Sequence, residues 1–371
     1  MNKYREPTEI KWLELGKYFP PDMGGIERVS EACSRIANKN GCSVHVIAFS
    51  PKKSLDEVVP GIGRVSRYES WLKPASAPLA PGYLISALQA LGEANFVHVH
   101  MPNPLAALAV WLRPGRYRLI LHWHSDVVSQ RRIYWIYRWL ESALLRCAVK
   151  VLVTTQAYAD ASPTLKSWRA KCVAIPPLTN IPALPPDVHT VAKTLLACGR
   201  LVPYKGFDVL VRAMAILPVD YRLRICGTGP LSNSLSRLIR SLGLQDRVEL
   251  LGFVSDERLA ELMAESDVFC MPSVTRAEAF GVAVIEAFAA GLPVVSSSLQ
   301  GSGLKVINRD GVTGLQFPVG DADALAAAVR RICENRTLRH SMADSARSEF
   351  LERYTPESYA ERFSYACFRA S

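Results

Sequence analysis

The chain has 371 residues, is 49% hydrophobic and carries a formal net charge of +10. Its length exceeds what one hydrophobic core ordinarily organises and predicts two domains. No run of about eighteen apolar residues occurs, which excludes a membrane-spanning helix. Nine cysteines without a Cys-x-x-Cys spacing argue against a disulfide scaffold and for buried free thiols in a reducing cytosol. The polar opening Met1-Asn2-Lys3-Tyr4-Arg5-Glu6-Pro7 is not the pattern of a secretory signal. Residues 1–185 hold 23 of the 44 Lys/Arg and 13 of the 34 Asp/Glu, so the whole excess of +10 lies in the first half. A basic half suits nucleic acid, an anionic membrane surface or phosphorylated substrates.

In chain order, Ile10 to Leu15 reads as a first strand, and Gly16 to Arg28 leads into a helix running to about Asn38. Gly24-Gly25 between them is open between an ordinary turn and an anion-binding nest. Strands are predicted at Val44–Phe49, Arg64–Tyr68, Phe96–His100 and Arg118–His124, with helices at Tyr83–Leu91 and Pro104–Leu112. This alternation predicts a parallel sheet with helices on both faces. His98 and His100 share one strand face, as do His122 and His124. No carboxylate or thiol spacing near them supports a metal site, so they are read as hydrogen-bonded strand residues. Asp126 is open between a helix N-cap and a ligand contact.

Arg131 to Cys147 is predicted to be a two-faced helix. Ile133, Ile136, Leu140, Leu144 and Cys147 form the buried stripe, while Trp135 and Trp139 lie among Arg131, Arg132, Arg138 and Arg146 on the other side. Strands follow at Val149–Thr154 and Cys172–Ile175. The prolines from Pro176 to Pro186 mark a linker. The domains are therefore set at 1–185 plus 356–371 and at 190–355.

The second half opens with a strand at Thr194–Gly199, then Arg200-Leu201-Val202-Pro203-Tyr204-Lys205-Gly206 and a helix from Phe207. Arg and Lys at the carboxyl end of a strand suit a diphosphate. Strands at Arg222–Cys226 and Val248–Leu251 are followed by Gly227-Thr228-Gly229 and Gly252-Phe253-Val254. Val268 to Pro272 reads as a buried strand. Glu278-Ala279-Phe280-Gly281-Val282 then leads into a helix from Val282 to Ala290 that carries Glu286. Glu278 thus lies in the loop after a strand's carboxyl end, where open α/β sheets bind ligands. Gly281 lets backbone approach an anion at the helix's free N–H groups. Asp321 is read as the cap of a helix running to about Cys333.

The Glu-x7-Glu of Glu278 and Glu286, set in E-A-F-G-V-A-V-I-E-A-F-A-A-G-L-P-V-V, resembles the retaining glycosyltransferase family 4. G-R-x-x-x-x-K-G at Gly199–Gly206 matches the family's pattern, and Trp123-His124-Ser125-Asp126 resembles its bacterial mannosyl- and rhamnosyltransferase-like members. The resemblance implies the GT-B fold: two facing Rossmann-like doubly wound parallel-sheet domains with an interdomain cleft. It implies that Arg200 and Lys205 neutralise the leaving diphosphate and that Glu286 binds the ribose. Glu278 would bind the sugar, and His124 would sit near the reacting sugar and acceptor. Gly24, Gly25, Gly227, Phe280, Gly281 and Val282 would surround the nucleotide, with backbone near Val254 on the base. Anomeric configuration would be retained.

The implied donor is a nucleotide-sugar, with GDP-mannose the leading expectation and a UDP-sugar the alternative. No metal or other cofactor is expected, since Arg200 and Lys205 are read as taking a metal's place and no clustered carboxylate site suited to Mg²⁺ or Mn²⁺ is read in the chain. The expected acceptor is a polyprenyl-diphosphate-linked saccharide, met at the cytoplasmic membrane face through the anionic-lipid-binding helix 131–147. Nucleic acid is not expected as a partner. A nucleotide-sugar epimerase, a phosphorylase of the same fold and a basic membrane- or nucleic-acid-binding protein are the competing readings. Two departures stand out: Pro177-Leu178-Thr179-Asn180 replaces the family's Gly-hydrophobic-Asp, and Gly301-Ser302-Gly303 replaces a glutamate-containing loop.

Overall fold

A computed structural model describes residues 9–21, 25–70, 78–126, 131–179, 181 and 193–369, the side chains of 131–136 excepted. The chain divides into two compact units, Met1–Pro176 with Tyr359–Ser371, and Pro177–Ser358.

The first unit is built on the strands Ile10–Leu15 (β1), Cys42–Ser50 (β2), Leu55–Val59 (β3), Gly63–Glu69 (β4), Phe96–Met101 (β5), Arg118–Trp123 (β6), Lys150–Val153 (β7) and Cys172–Ala174 (β8). They form one sheet in the order β3-β4-β2-β1-β5-β6-β7-β8. Every pairing is parallel except that of β3 with β4. β5 and β6 are buried at five successive positions each, the mark of strands covered on both faces. β3 was not expected: Leu-Asp-Glu-Val-Val is largely exposed and lacks an alternating apolar face, so it has no strand signal of its own.

Helices Gly25–Lys39 (α1), Pro81–Leu91 (α2), Pro104–Leu112 (α3) and Arg131–Cys147 (α4) connect these strands. α3 begins where the side chain of Asn103 accepts from Ala106 N at 3.2 Å, with Pro104 in the first turn. Among the described side chains of α4, Tyr137, Glu141, Leu144 and Leu145 are buried and Leu140 is half-buried. Cys147 is exposed, so the stripe is rotated from the expected one. A polar Glu141 at a core position concealed it from a reading based on apolar spacing. Ile133, Ile136, Arg131, Arg132 and Trp135 carry side chains outside the described set.

The unit is completed by the helix Pro356–Ser364 and the π turn Tyr365–Arg369. Phe363 and Phe368 lay their rings 5.9 and 5.5 Å from that of Trp12. The Tyr359 hydroxyl lies 3.1 Å from Cys33 Sγ.

The second unit contains Thr194–Cys198 (β9), Arg222–Cys226 (β10), Val248–Gly252 (β11), Val268–Met271 (β12), Val294–Ser297 (β13) and Gly314–Phe317 (β14). All are parallel, in the order β11-β10-β9-β12-β13-β14. Two apolar clusters cover its faces, one around Phe207, Leu210 and Leu325, the other around Phe269, Ile285 and Phe288. The division falls at Pro176–Pro177 rather than near 185, because Ile181 is already packed in the second cluster.

Among the parallel strands of each sheet the order reverses once: between β1 and β5 in the first, between β9 and β12 in the second. Crevices at such switch points, beyond the strands' carboxyl ends, are where open α/β sheets hold ligands.

Candidate active site

At the second switch point the backbone is built for close approach. Gly227 has φ 130°, and a Cβ there would fall 2.0 Å from Gly199 O, so only glycine fits. Gly227 N donates to Gly252 O at 2.7 Å, and Gly199 N to Cys226 O at 3.0 Å. The loops after β9, β10 and β11 are thereby locked together.

After β9, a 3-10 turn at Pro203–Lys205 ends on Gly206 with φ 65°. A Cβ on Gly206 would lie 2.2 Å from Pro272 O, and Val274 N donates to Tyr204 O at 2.8 Å. The loops following β9 and β12 thus run against one another, which brings Lys205 to Glu278. Lys205 Nζ lies 2.7 Å from Glu278 Oε2, with the two side chains 11% and 9% exposed. Ser273 Oγ donates to the same carboxylate oxygen at 3.0 Å. Ser302 Oγ donates to the Glu278 carbonyl, and Gly303 N to Ala279 O at 2.9 Å. The Gly301-Ser302-Gly303 variation therefore supports the Glu278 loop directly. Sequence reasoning assigned no partner to Ser273 or Ser302.

Arg200 is exposed at the carboxyl end of β9, with no ion partner among the described residues. Gly281, φ 92°, precedes the helix Val282–Ala289. Glu286, within that helix, is buried and accepts from Thr179 Oγ1 at 3.4 Å. Val254 and Val282 are half-buried. The Phe280 side chain is buried in the core, with its ring edge-on to that of Tyr354 at 6.3 Å.

At the first switch point Glu14 of β1 lies in register with His98 of β5, and His100 of β5 with His122 of β6. Glu14 is fully buried. It accepts from Trp12 Nε1 at 2.7 Å and Ser30 Oγ at 3.2 Å, and pairs with His98 Nδ1 at 2.9 Å and His100 Nε2 at 2.5 Å. Burial pushes its carboxyl up, but His98 and His100 overcome this and hold it well below the usual range. His100 Nδ1 meets His124 Nε2 at 2.8 Å. Burial drives His122 and His124 well below the ordinary imidazole range and lowers His100 against the opposing pull of Glu14, so the stack is neutral near pH 7.

Ring nitrogens of His100, His122 and His124 come within 4.8 Å of one another. The three rings are parallel to within 14°, however. Both His100 nitrogens are already engaged in hydrogen bonds, to Glu14 and to His124. Asp126 Oδ1 accepts from Trp123 Nε1 and Ser162 Oγ at 3.1 and 2.8 Å. Gly25 is the exposed first residue of α1, and Gly24 lies outside the described residues.

Two doubly wound sheets, each with charged or hydrogen-bonding groups gathered at its switch point, define a two-domain α/β enzyme scaffold of the GT-B type. Residues 24–177 match the model of the glycosyl transferase 4-like domain, and residues 188–349 that of glycosyl transferases group 1. The chain belongs to the glycosyltransferases with the GT-B fold. It is 28% identical to O-antigen chain mannosyltransferase C of Escherichia coli over 357 residues, 93% of this chain and 94% of that one. It is also 28% identical to D-rhamnosyltransferase WbpZ of Pseudomonas aeruginosa over 347 residues, 91% of this chain and 90% of that one. Anabaena HepE, solved in complex with UDP and glucose, matches with a TM-score of 0.75 at 19% identity, covering 98% and 100% of the two chains. Among the described residues no helix is long and apolar enough to cross a membrane.

Proposed function

We propose that this glycosyltransferase transfers mannose from GDP-mannose, with retention of configuration, to a lipid-linked saccharide in bacterial surface polysaccharide synthesis. The observation that carries the donor site is the buried Lys205–Glu278 pair at the second switch point, with exposed Arg200 beside it in the chain. On donor binding, Lys205 and Arg200 offset charge gathering on the leaving diphosphate, the task preorganised electrostatics performs best. Glu278, released in part from Lys205, takes the sugar hydroxyls and supports positive charge at the anomeric carbon. Glu286 holds the ribose. The leaving phosphate takes the acceptor's proton, and Arg200 and Lys205 take the place of a metal on the diphosphate. Similarity along almost the full length to a mannosyltransferase supports mannose; the rhamnosyltransferase relative supports a related deoxy-sugar as the second choice.

The acceptor's lipid is supported by a surface patch on the first unit. Trp111 and Trp139 are 43% and 55% exposed, with ring centroids 4.9 Å apart. Leu112, Arg113, Arg116, Arg138 and Arg146 are exposed on the same two helices and the turn after α3. Tryptophan favours the headgroup layer, and arginine favours anionic lipid. In this reading the enzyme works on the cytoplasmic membrane face without spanning it.

The experiment is incubation with GDP-mannose, GDP-rhamnose and UDP-glucose, each with a polyprenyl-diphosphate-linked saccharide. The expected result is a product from GDP-mannose with the donor's anomeric configuration by NMR. Turnover of UDP-glucose alone, or an inverted product, overturns the respective part.

A further inference from the structure

The hydrogen bonds behind His124 have a direction. An ionised carboxylate only accepts, and Glu14 stays ionised under the donors around it. His100 Nε2 therefore carries the proton it shares with Glu14 Oε1. Neutral His100 is left with a lone pair on Nδ1, which faces His124 Nε2 at 2.8 Å. That nitrogen must then be N–H. In neutral His124 the remaining nitrogen, Nδ1, is a lone pair, and among the described residues it has no hydrogen-bond partner.

The arrangement is also rigid. Glu14, His98, His100 and His122 are buried, and His124 is half-buried just past the end of β6. Its ring is parallel within 8° to those of His100 and His122. His98 is not part of this chain of bonds: among the described residues its one hydrogen bond is from Nδ1 to Glu14 Oε2, and its buried Nε2 makes none.

We propose that Glu14 and His100 are positioning residues that hold His124 as its Nε2–H tautomer, so that Nδ1 accepts a hydrogen bond from a hydroxyl of the bound saccharide. This rests on the transferase reading above. It deepens that reading by specifying that the site recognises a hydroxyl there and not a carbonyl or other acceptor-only group. Such a choice fixes specificity, because a buried polar group facing the wrong partner is costly.

The test begins with the ligand-free wild-type protein and long-range ¹H–¹⁵N spectra of its histidines. His124 is expected as Nε2–H; the Nδ1–H form overturns the proposal whether or not any sugar is transferred. In Glu14→Gln the side-chain amide can donate to His100, reversing each bond in turn. His124 is then expected to shift to Nδ1–H, with a fall of about 10- to 100-fold in kcat/KM, the size of one inverted hydrogen bond. His98→Gln keeps an amide donor for Glu14 Oε2 and lies outside the relay, so the His124 tautomer should persist, with a smaller loss in rate than in Glu14→Gln. Equal losses in both variants, with an unchanged His124 tautomer, would make Glu14 a structural residue only. If Glu14→Gln does not fold, His100→Phe removes the acceptor of the His124 proton. A mixed tautomer at His124 is then expected, and an unshifted one overturns the relay. Failure of every nucleotide-sugar to react, with the Nε2–H form present, counts against the transferase reading instead.

Discussion

Lys205 Nζ and Glu278 Oε2 are 2.7 Å apart, and each is the other's charge partner in the ligand-free chain. Two residues expected to serve the donor separately thus form one electrostatic unit. Removing one alone leaves the other buried and unpaired, which costs about 3–5 kcal/mol of stability, whereas removing both costs far less. Lys205→Met should therefore be less stable in urea than Lys205→Met/Glu278→Leu, and both should lose about 10²–10³ in rate. Additive stability losses in the cycle would show that the pair is not coupled.

Gly206 links this pair to the fold. With φ 65° and only 2.2 Å between a Cβ and Pro272 O, Gly206→Ala must move the Lys205 turn away from the loop after β12. The expected outcome is a cost of at least about 1–2 kcal/mol with a larger fractional loss in donor binding than in stability. Unchanged nucleotide affinity, measured calorimetrically, would contradict the close packing of the two loops.

Charge neutralisation by Arg200 and Lys205 makes a divalent ion unnecessary in the proposed reaction. Turnover should persist in EDTA. Complete loss, restored by added Mg²⁺, would transfer the role of the two side chains to a metal.

Buried imidazoles set a pH limit on folding. Burial lowers His45 to about 4, with Arg64 adding to the effect, and lowers His100, His122 and His124 as well. Folded values below the unfolded one mean that the unfolded chain binds more protons as pH falls through about 6.5. Stability is then full above that point and declines below it, by up to about 1.4 kcal/mol per pH unit for each histidine. Glu14 does not oppose this: its depressed value adds stability that is lost only below the ordinary carboxylate range. Denaturation midpoints at pH 7.5 and 5.0 should differ clearly, and less so in His45→Gln. Equal midpoints would show that these rings titrate normally.

Membrane docking is tested by sedimentation with anionic liposomes. Wild type should pellet at low salt. Trp111→Ala/Trp139→Ala and Arg138→Glu/Arg146→Glu should stay in solution, since each basic residue contributes roughly 1 kcal/mol near such a surface. Indistinguishable pelleting of all three proteins would remove the patch from the account.

Elements with strong local signals were legible in the sequence. α3, α4 and β10 have the expected bounds, and Asp321 caps its helix by accepting from Ala324 N. Their apolar periodicity and capping chemistry act over a few residues. β3 was missed because its pairing with β4, through Arg64–Asp56 and Arg67–Glu57, is charged rather than apolar. Glu14 was missed for a different reason. One glutamate in Ile-Lys-Trp-Leu-Glu-Leu resembles the outward position of an edge strand, and its partners lie 84 and 86 residues away. Strand register at that separation is set by the whole sheet and has no local signature. Glu with His-x-His on a neighbouring buried strand was the available signal. Lys205 and Glu278 were each identified, but their contact was not, because it depends on Gly206 meeting Pro272 across two loops.

The core around Trp12 receives its last rings from residues 359–369: Tyr359 at Cys33, Phe363 beside His98 at 5.6 Å, and Phe368 on Trp12. On the ribosome, the half of the protein made first must therefore wait, with one side of its sheet open, until the whole contiguous stretch 177–358 has been translated. The later-made unit is the one with all its residues in sequence and can close first. An interrupted translation product ending anywhere before Tyr359 would lack the rings packed on Trp12 and His98, and so be recognisable to quality-control machinery as unfinished.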